Sequence, residues 1–202
     1  MVQIVIIRHG EKPRDRSSVD LDHKGKMRAE FLPDYLLHSY DDFKPPVFSF
    51  NMLMKAGKSQ RCFETMKPTI RKGGLRYENV PRFLAHEMAK YFSDHCDRDK
   101  TYVVCWQHDG IVDLVNMLGA KDVCSWGFNP EGGHGEGREC YDATWVCDID
   151  AQTLRLRVFR QFDIVDDLPV YVVPRNEVVF EKSYERTHRF EKSAQENGCV
   201  VM

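Results

Sequence analysis

The feature that most limits what this chain can become is its opening run, Met1-Val2-Gln3-Ile4-Val5-Ile6-Ile7, which stops abruptly at Arg8-His9-Gly10-Glu11. Val2 to Ile7 is short and rich in β-branched residues. It cannot span a bilayer, and it predicts a strand buried on both faces. A strand that delivers a cation and an imidazole at its carboxyl end places them where open α/β sheets bind ligands. Gly10 lets the backbone turn tightly and lets a ligand approach closely.

The same design recurs in the middle of the chain. Tyr102 to Trp106 predicts another buried strand, and His108-Asp109-Gly110 follows it. Ile111, Leu114, Val115 and Leu118 then fall at i, i+3, i+4 and i+7, which predicts a helix closing near Gly119. A second imidazole thus sits beside a carboxylate at a helix N-terminus, a place that favours anions. Two strands ending in histidine are harder to ascribe to chance than one.

Between these two units the pattern is simpler. Lys12, Arg14 and Arg16 crowd a charged loop just after Arg8-His9, where they can line an anion-binding mouth or form a solvated surface. Asp20 or Asp22 can cap a helix whose apolar face is Met27, Phe31 and Tyr35 or Leu36, with Pro33 kinking it or starting a second turn. Residues 45–54 predict a strand, followed by a loop and a helix containing Arg61. Gly73-Gly74 marks a turn. A further helix is expected from Pro81 to about Cys96, with Phe83, Leu84, Met88, Tyr91 and Phe92 inward and His86, Glu87 and His95 riding on it.

After residue 119 comes a Gly-rich stretch containing His134. It lacks the G-x-x-x-x-G-K-[ST] spacing of a P-loop and predicts a flexible loop. Residues 141–149 and 154–162 predict a strand pair around the turn at Asp150-Ala151-Gln152. Alternating Leu154, Leu156 and Val158 imply one packed face and one wet face. Residues 168–173 predict a last strand, and from about Arg175 the chain is polar, a surface helix or a loosely ordered tail. No internal repeat or linker divides it, so the expectation is one catalytic domain over 1–175 and a polar tail over 176–202.

Composition removes several classes of function. The chain has 202 residues, 42% hydrophobic, with a formal charge of −2. That length suits a single domain with a substantial core, and that charge does not point to nucleic acid. Seven Cys without a C-x-x-C pair do not make a disulfide framework or a zinc ribbon, and no metal-ligand spacing occurs. Cys62, Cys105 and Cys147 sit in apolar or motif stretches and read as reduced thiols of a cytoplasmic protein. The N-terminus shows no secretory leader.

Arg8, His9, Arg61, His108 and Asp109 together make chemical sense. Two guanidiniums and two imidazoles suit a tetrahedral oxyanion, because Arg offers forked donors to phosphate oxygens. One neutral imidazole can then attack phosphorus, its pKa lowered by the neighbouring cations.

On these residues the chain resembles the histidine phosphatase, or phosphoglycerate mutase-like, superfamily. The resemblance rests on Arg8-His9-Gly10-Glu11, on Leu21, Lys24-Gly25, Arg28-Ala29 and Leu32, on Ser59-x-Arg61 with Glu64-Thr65, and on His108 after a strand. It covers roughly the first 160 residues in the expected order. It implies a three-layer α/β/α sandwich with a mostly parallel central sheet. It also implies that His9 becomes phosphorylated while Arg8, Arg61 and His108 hold the phosphoryl group, with Lys12 and Arg14 as further substrate-binding candidates. In one branch of the family the proton donor is a Glu between the second Arg and the second His, a place Glu87 matches. In the acid phosphatase and phytase branch it is the Asp after the second His, which Asp109 matches. Asp109 is preferred, since Glu87 falls in a regular helix rather than a Gly-containing loop.

The expected activity is therefore a metal-independent, cofactor-free phosphatase acting on a small phosphorylated metabolite or a phosphoprotein through phosphohistidine. A phosphate-recognition module that has lost turnover and a phosphohistidine-based mutase are the alternatives. The last four residues, Cys199-Val200-Val201-Met202, fit C-a-a-X with Met suiting farnesylation. A single prenyl chain on Cys199 would give only reversible membrane association to an otherwise cytoplasmic protein.

Overall fold

The computed structural model describes residues 1–15, 17–38, 43–53, 59–81, 84–95, 99–119, 141–150, 153–170 and 178–183. The side chains of residues 85, 93–95, 109, 160 and 178–183 are outside that description. Arg16, Phe83, Cys96, His134 and Cys199, on which sequence expectations fell, also lie outside it.

In chain order the elements are β1 (Val2–Arg8), α1 (His23–Leu37), β2 (Phe48–Leu53), α2 (Arg61–Gly73), β3 (Arg76–Pro81), α3 (Ala85–His95), β4 (Thr101–Trp106), α4 (His108–Met117), β5 (Ala143–Ile149), β6 (Thr153–Arg160), β7 (Asp163–Val165), β8 (Leu168–Val170) and β9 (Val178–Ser183). The main sheet runs β3-β2-β4-β1-β5-β6-β9, and β7-β8 forms a small separate hairpin. Strands β3, β2, β4, β1 and β6 point one way, β5 and β9 the other.

The two faces follow from strand alternation. Phe50 on β2 and Tyr102 on β4 meet Phe92 of α3, whereas Cys105, three residues on and so facing the other way, meets Cys62 of α2. Helices α3 and α4 pack together on the first face and α1 and α2 on the second. With helices on both sides, β1 and β4 are buried along their whole length. The result is the three-layer α/β/α sandwich with a mostly parallel sheet that the resemblance implies.

Local signals explain most elements. The Asp22 side chain accepts from the Gly25 N–H at 2.7 Å and starts α1. Gly74, at φ 60°, ends α2 in the left-handed region, its N–H bonded to the Ile70 carbonyl. The predicted faces of α4 hold as well, with Ile111, Leu114, Val115 and Leu118 all buried.

Four expectations need correction. Pro33 opens no second turn; it lies inside a helix continuous to Leu37, buried with Leu32 and Leu36. The chain from residue 76 forms edge strand β3, so the third helix begins at Ala85 rather than Pro81. Tyr91 is exposed although the periodicity placed it inward. Residues 168–170 pair in the β7-β8 hairpin, and the main sheet is instead completed by β9, which lies beyond residue 175 and pairs with β6.

Candidate active site

Strands β1 and β4 lie side by side with Arg8 level with Trp106, and the His9 N–H donates to the Trp106 carbonyl at 3.2 Å. The helix after β1 goes to one face of the sheet and the helix after β4 to the other. Divergence of that kind opens a crevice at the carboxyl ends of the two strands. Arg8 and His9 therefore meet there with His108, the first residue of α4, which is half-buried.

Arg61 enters from the N-terminus of α2. Its Nε donates to the Asp20 carbonyl at 2.9 Å and its Nη2 to the Ser18 carbonyl, so the loop before α1 holds the guanidinium. Arg8 is only 1% exposed. A buried guanidinium has to be compensated, and this one lies over the ring of Tyr141, 4.1 Å from its centroid. The Tyr141 ring also stands 5.9 Å from that of His9.

The state of His9 follows from its surroundings. Its Nδ1 lies 2.7 Å from the Gly10 carbonyl oxygen. A carbonyl can only accept, so Nδ1 carries the hydrogen and Nε2 keeps the lone pair. Burial pushes the pKa down to about 3; the Gly10 hydrogen bond opposes this, while the charges of Arg8, Arg61 and Lys12 add to it. His9 is a neutral imidazole at neutral pH, and Nε2 is its bare nitrogen.

The loop after His9 is clamped from two sides. The Gly10 N–H donates to Thr65 Oγ1 at 2.8 Å, and that hydroxyl donates to the Arg61 carbonyl at 2.7 Å. On the other side the backbone touches α1. A Cβ on Gly10 would lie 2.8 Å from the Gly25 oxygen, and one on Gly25 would lie 2.4 Å from the Glu11 oxygen. Only glycine fits at either place. Beside this contact Glu11 and Arg28 form a buried ion pair, with Arg28 Nη2 2.6 Å from Oε1 and Nε 3.0 Å from Oε2. Arg28 Nη1 reaches the Phe162 carbonyl at 2.8 Å. The Glu11 carboxylate is thus engaged by Arg28.

Of the residues named from the sequence, the fold gathers Arg8, His9 and His108 at one crevice, and brings the charges of Arg61 and Lys12 to bear on His9. Arg14 is exposed. Glu87 is exposed in the first turn of α3, and the Asp109 side chain is outside the described residues. Sequence reasoning gave no role to Thr65 or Arg28, which entered only as positions of a family pattern, and missed Tyr141. The register of β1 with β5, Ile7 level with Thr144, carries Tyr141 to the end of β1, and no spacing in the sequence announces that. Among the described residues no group of three or more His, Cys, Asp or Glu is placed to hold a metal ion.

A parallel strand pair thus presents a buried, neutral imidazole among cations at its carboxyl end. No family model matches the chain, and no curated protein does so by sequence. Among solved structures it is similar to the protein assigned as the phosphohistidine phosphatase SixA of Agrobacterium tumefaciens, at 12% identity over 72% of this chain and 90% of that one, with a TM-score of 0.48. It is also similar to the protein histidine phosphatase SixA complexed with tungstate, at 13% identity over 73% and 88%, with a TM-score of 0.46.

Proposed function

We propose that this chain is a phosphatase that hydrolyses phosphate monoesters through a phosphohistidine on His9. The observation that carries the reading is the buried, neutral His9 ring, its Nδ1–H fixed to Gly10 and its Nε2 lone pair set among Arg8, Arg61 and Lys12. The cations attract a phosphate dianion and neutralise the charge that gathers on its oxygens in the transition state. Nε2 forms the P–N bond as the ester P–O bond breaks, and the leaving alkoxide takes a proton from Asp109. Water then gives a proton to the Asp109 carboxylate as its oxygen attacks phosphorus, the P–N bond breaks, and inorganic phosphate leaves with His9 and Asp109 restored. Arg8, Arg61 and His108 hold the phosphoryl oxygens throughout.

His9→Ala should abolish turnover of an aryl phosphate while the circular dichroism spectrum stays unchanged. Acid-labile, base-stable label should appear on the wild type alone. Unchanged turnover in the variant would end the phosphohistidine mechanism. EDTA should leave the rate unchanged. A panel of phosphorylated metabolites and phosphopeptides then separates the two substrate classes. Proton donation normally contributes ~10²–10⁴ in rate. Asp109→Asn should therefore lose far more activity on alkyl than on aryl phosphates, and Glu87→Gln should lose little on either. The reverse pattern would transfer the role to Glu87.

A further inference from the structure

We propose that Thr65 is a positioning residue that sets the tautomer of His9 and couples it to the helix carrying Arg61. The proposal rests on the reading of His9 as nucleophile. Thr65 is fully buried in the second turn of α2. Its hydroxyl hydrogen goes to the Arg61 carbonyl, one turn back, at 2.7 Å. Such back-bonding is common for helical threonines, and by itself it would mean nothing. Here it also fixes where the oxygen lone pairs point, and one of them accepts the Gly10 N–H at 2.8 Å.

Gly10 is the residue whose carbonyl holds His9 Nδ1. A single hydroxyl therefore orients the residue that orients the imidazole. Gly25 presses on Gly10 from the opposite side, so the residue is held between α1 and α2. Without the hydroxyl, a buried N–H loses its acceptor and Gly10 must rotate or admit water to satisfy it. A shift of the Gly10 backbone also displaces its carbonyl from Nδ1, and the proton on His9 can then move to Nε2, which removes the lone pair needed for attack. Thr65 also anchors the first turn of α2, so the imidazole and the Arg61 guanidinium are referred to one fixed point.

The test uses Thr65→Val, which keeps the shape and deletes the hydroxyl, and Thr65→Ser, which keeps the hydroxyl. With ¹⁵N-histidine labelling, His9 is assigned by its loss in His9→Gln, and its two nitrogen shifts report the tautomer at neutral pH. The wild type and Thr65→Ser should show Nδ1–H with a bare Nε2, and a protected Gly10 amide. Thr65→Val should show a mixture, a fast-exchanging Gly10 amide, and a kcat on an aryl phosphate lower by about 10–100-fold with KM changed about twofold. An unchanged tautomer and kcat in Thr65→Val would overturn the proposal, as would an equal loss in Thr65→Ser. Should Thr65→Val fail to fold, a wild-type His9 found protonated on Nε2 would still overturn it. Absence of phosphatase activity in the wild type would sink the proposed function alone, because the tautomer and amide measurements need no turnover.

Discussion

At the scale of single residues, the Glu11–Arg28 pair and Gly25 are where the site is held to the rest of the protein. Arg28 is 2% exposed and its partner only slightly more so. Removing one member of such a pair strands a charge in a medium that solvates it poorly, at a cost of about 3–5 kcal/mol, whereas replacing both with apolar groups is often near neutral. Arg28→Met should accordingly lower stability by about that amount in urea titrations, and Glu11→Leu combined with Arg28→Met should recover most of it. A single variant within 1 kcal/mol or so of wild type would mean that water reaches the pair. Gly25→Ala tests the backbone contact. Its methyl would meet the Glu11 backbone, which cannot swing aside as a side chain can. Overpacking of this kind costs about 1–3 kcal/mol, so the melting temperature should fall by roughly 4–8 °C for a loss near 2 kcal/mol.

Among elements, β4 and α4 show how a helix start is seated. A Cβ on Gly110 would lie 2.2 Å from Trp106 Nε1, so the first turn of α4 rests directly on the indole of the strand before it. Gly110→Ala must push α4 and Trp106 apart. The near-ultraviolet circular dichroism of the indole should change, and kcat/KM should drop because His108 moves with that turn; an unaltered spectrum and rate would show that the helix absorbs the methyl locally. Elements with a strong local signal were legible in advance: β1 and β4 from their apolar runs, α4 from its period, and the start of α1 to within the choice between Asp20 and Asp22. The elements that escaped have their cause elsewhere in the chain. Strand β3 exposes its first four residues, so no apolar run marks it, and it exists because β2 offers a free edge. Strand β9 contains only Val178-Val179-Phe180 as an apolar signal within a polar stretch. In the site, Arg8, His9 and His108 could be read because they adjoin strands. Thr65 and Tyr141 could not, because each acts through a partner far away in sequence.

For the molecule as a whole, the state of His9 makes stability depend on pH with a definite sign. In the unfolded chain an ordinary imidazole takes up a proton near 6.5, whereas in the fold it does so only near 3. Below pH 6.5 the unfolded state binds more protons, so this contribution is fully present above that pH and is lost as pH falls toward 3. The slope approaches about 1.4 kcal/mol per pH unit for one proton. Unfolding free energies measured between pH 7 and 4 should fall less steeply in His9→Gln than in wild type; parallel curves would show that His9 is not the group responsible. The sheet has a further consequence, which concerns synthesis. Strand β1 lies between β4 and β5, and its Gln3 side chain bonds Asp148, 145 positions later. At about 5–20 residues per second, β1 leaves the ribosome roughly 7–30 s before its β5 neighbour. During that interval an apolar strand is exposed with open edges, the state most prone to pair with another nascent chain. The strand that ends in Arg8-His9 is thus made well before it is sheltered, so the yield of this protein in a cell should depend on chaperones that bind short β-branched runs as they emerge.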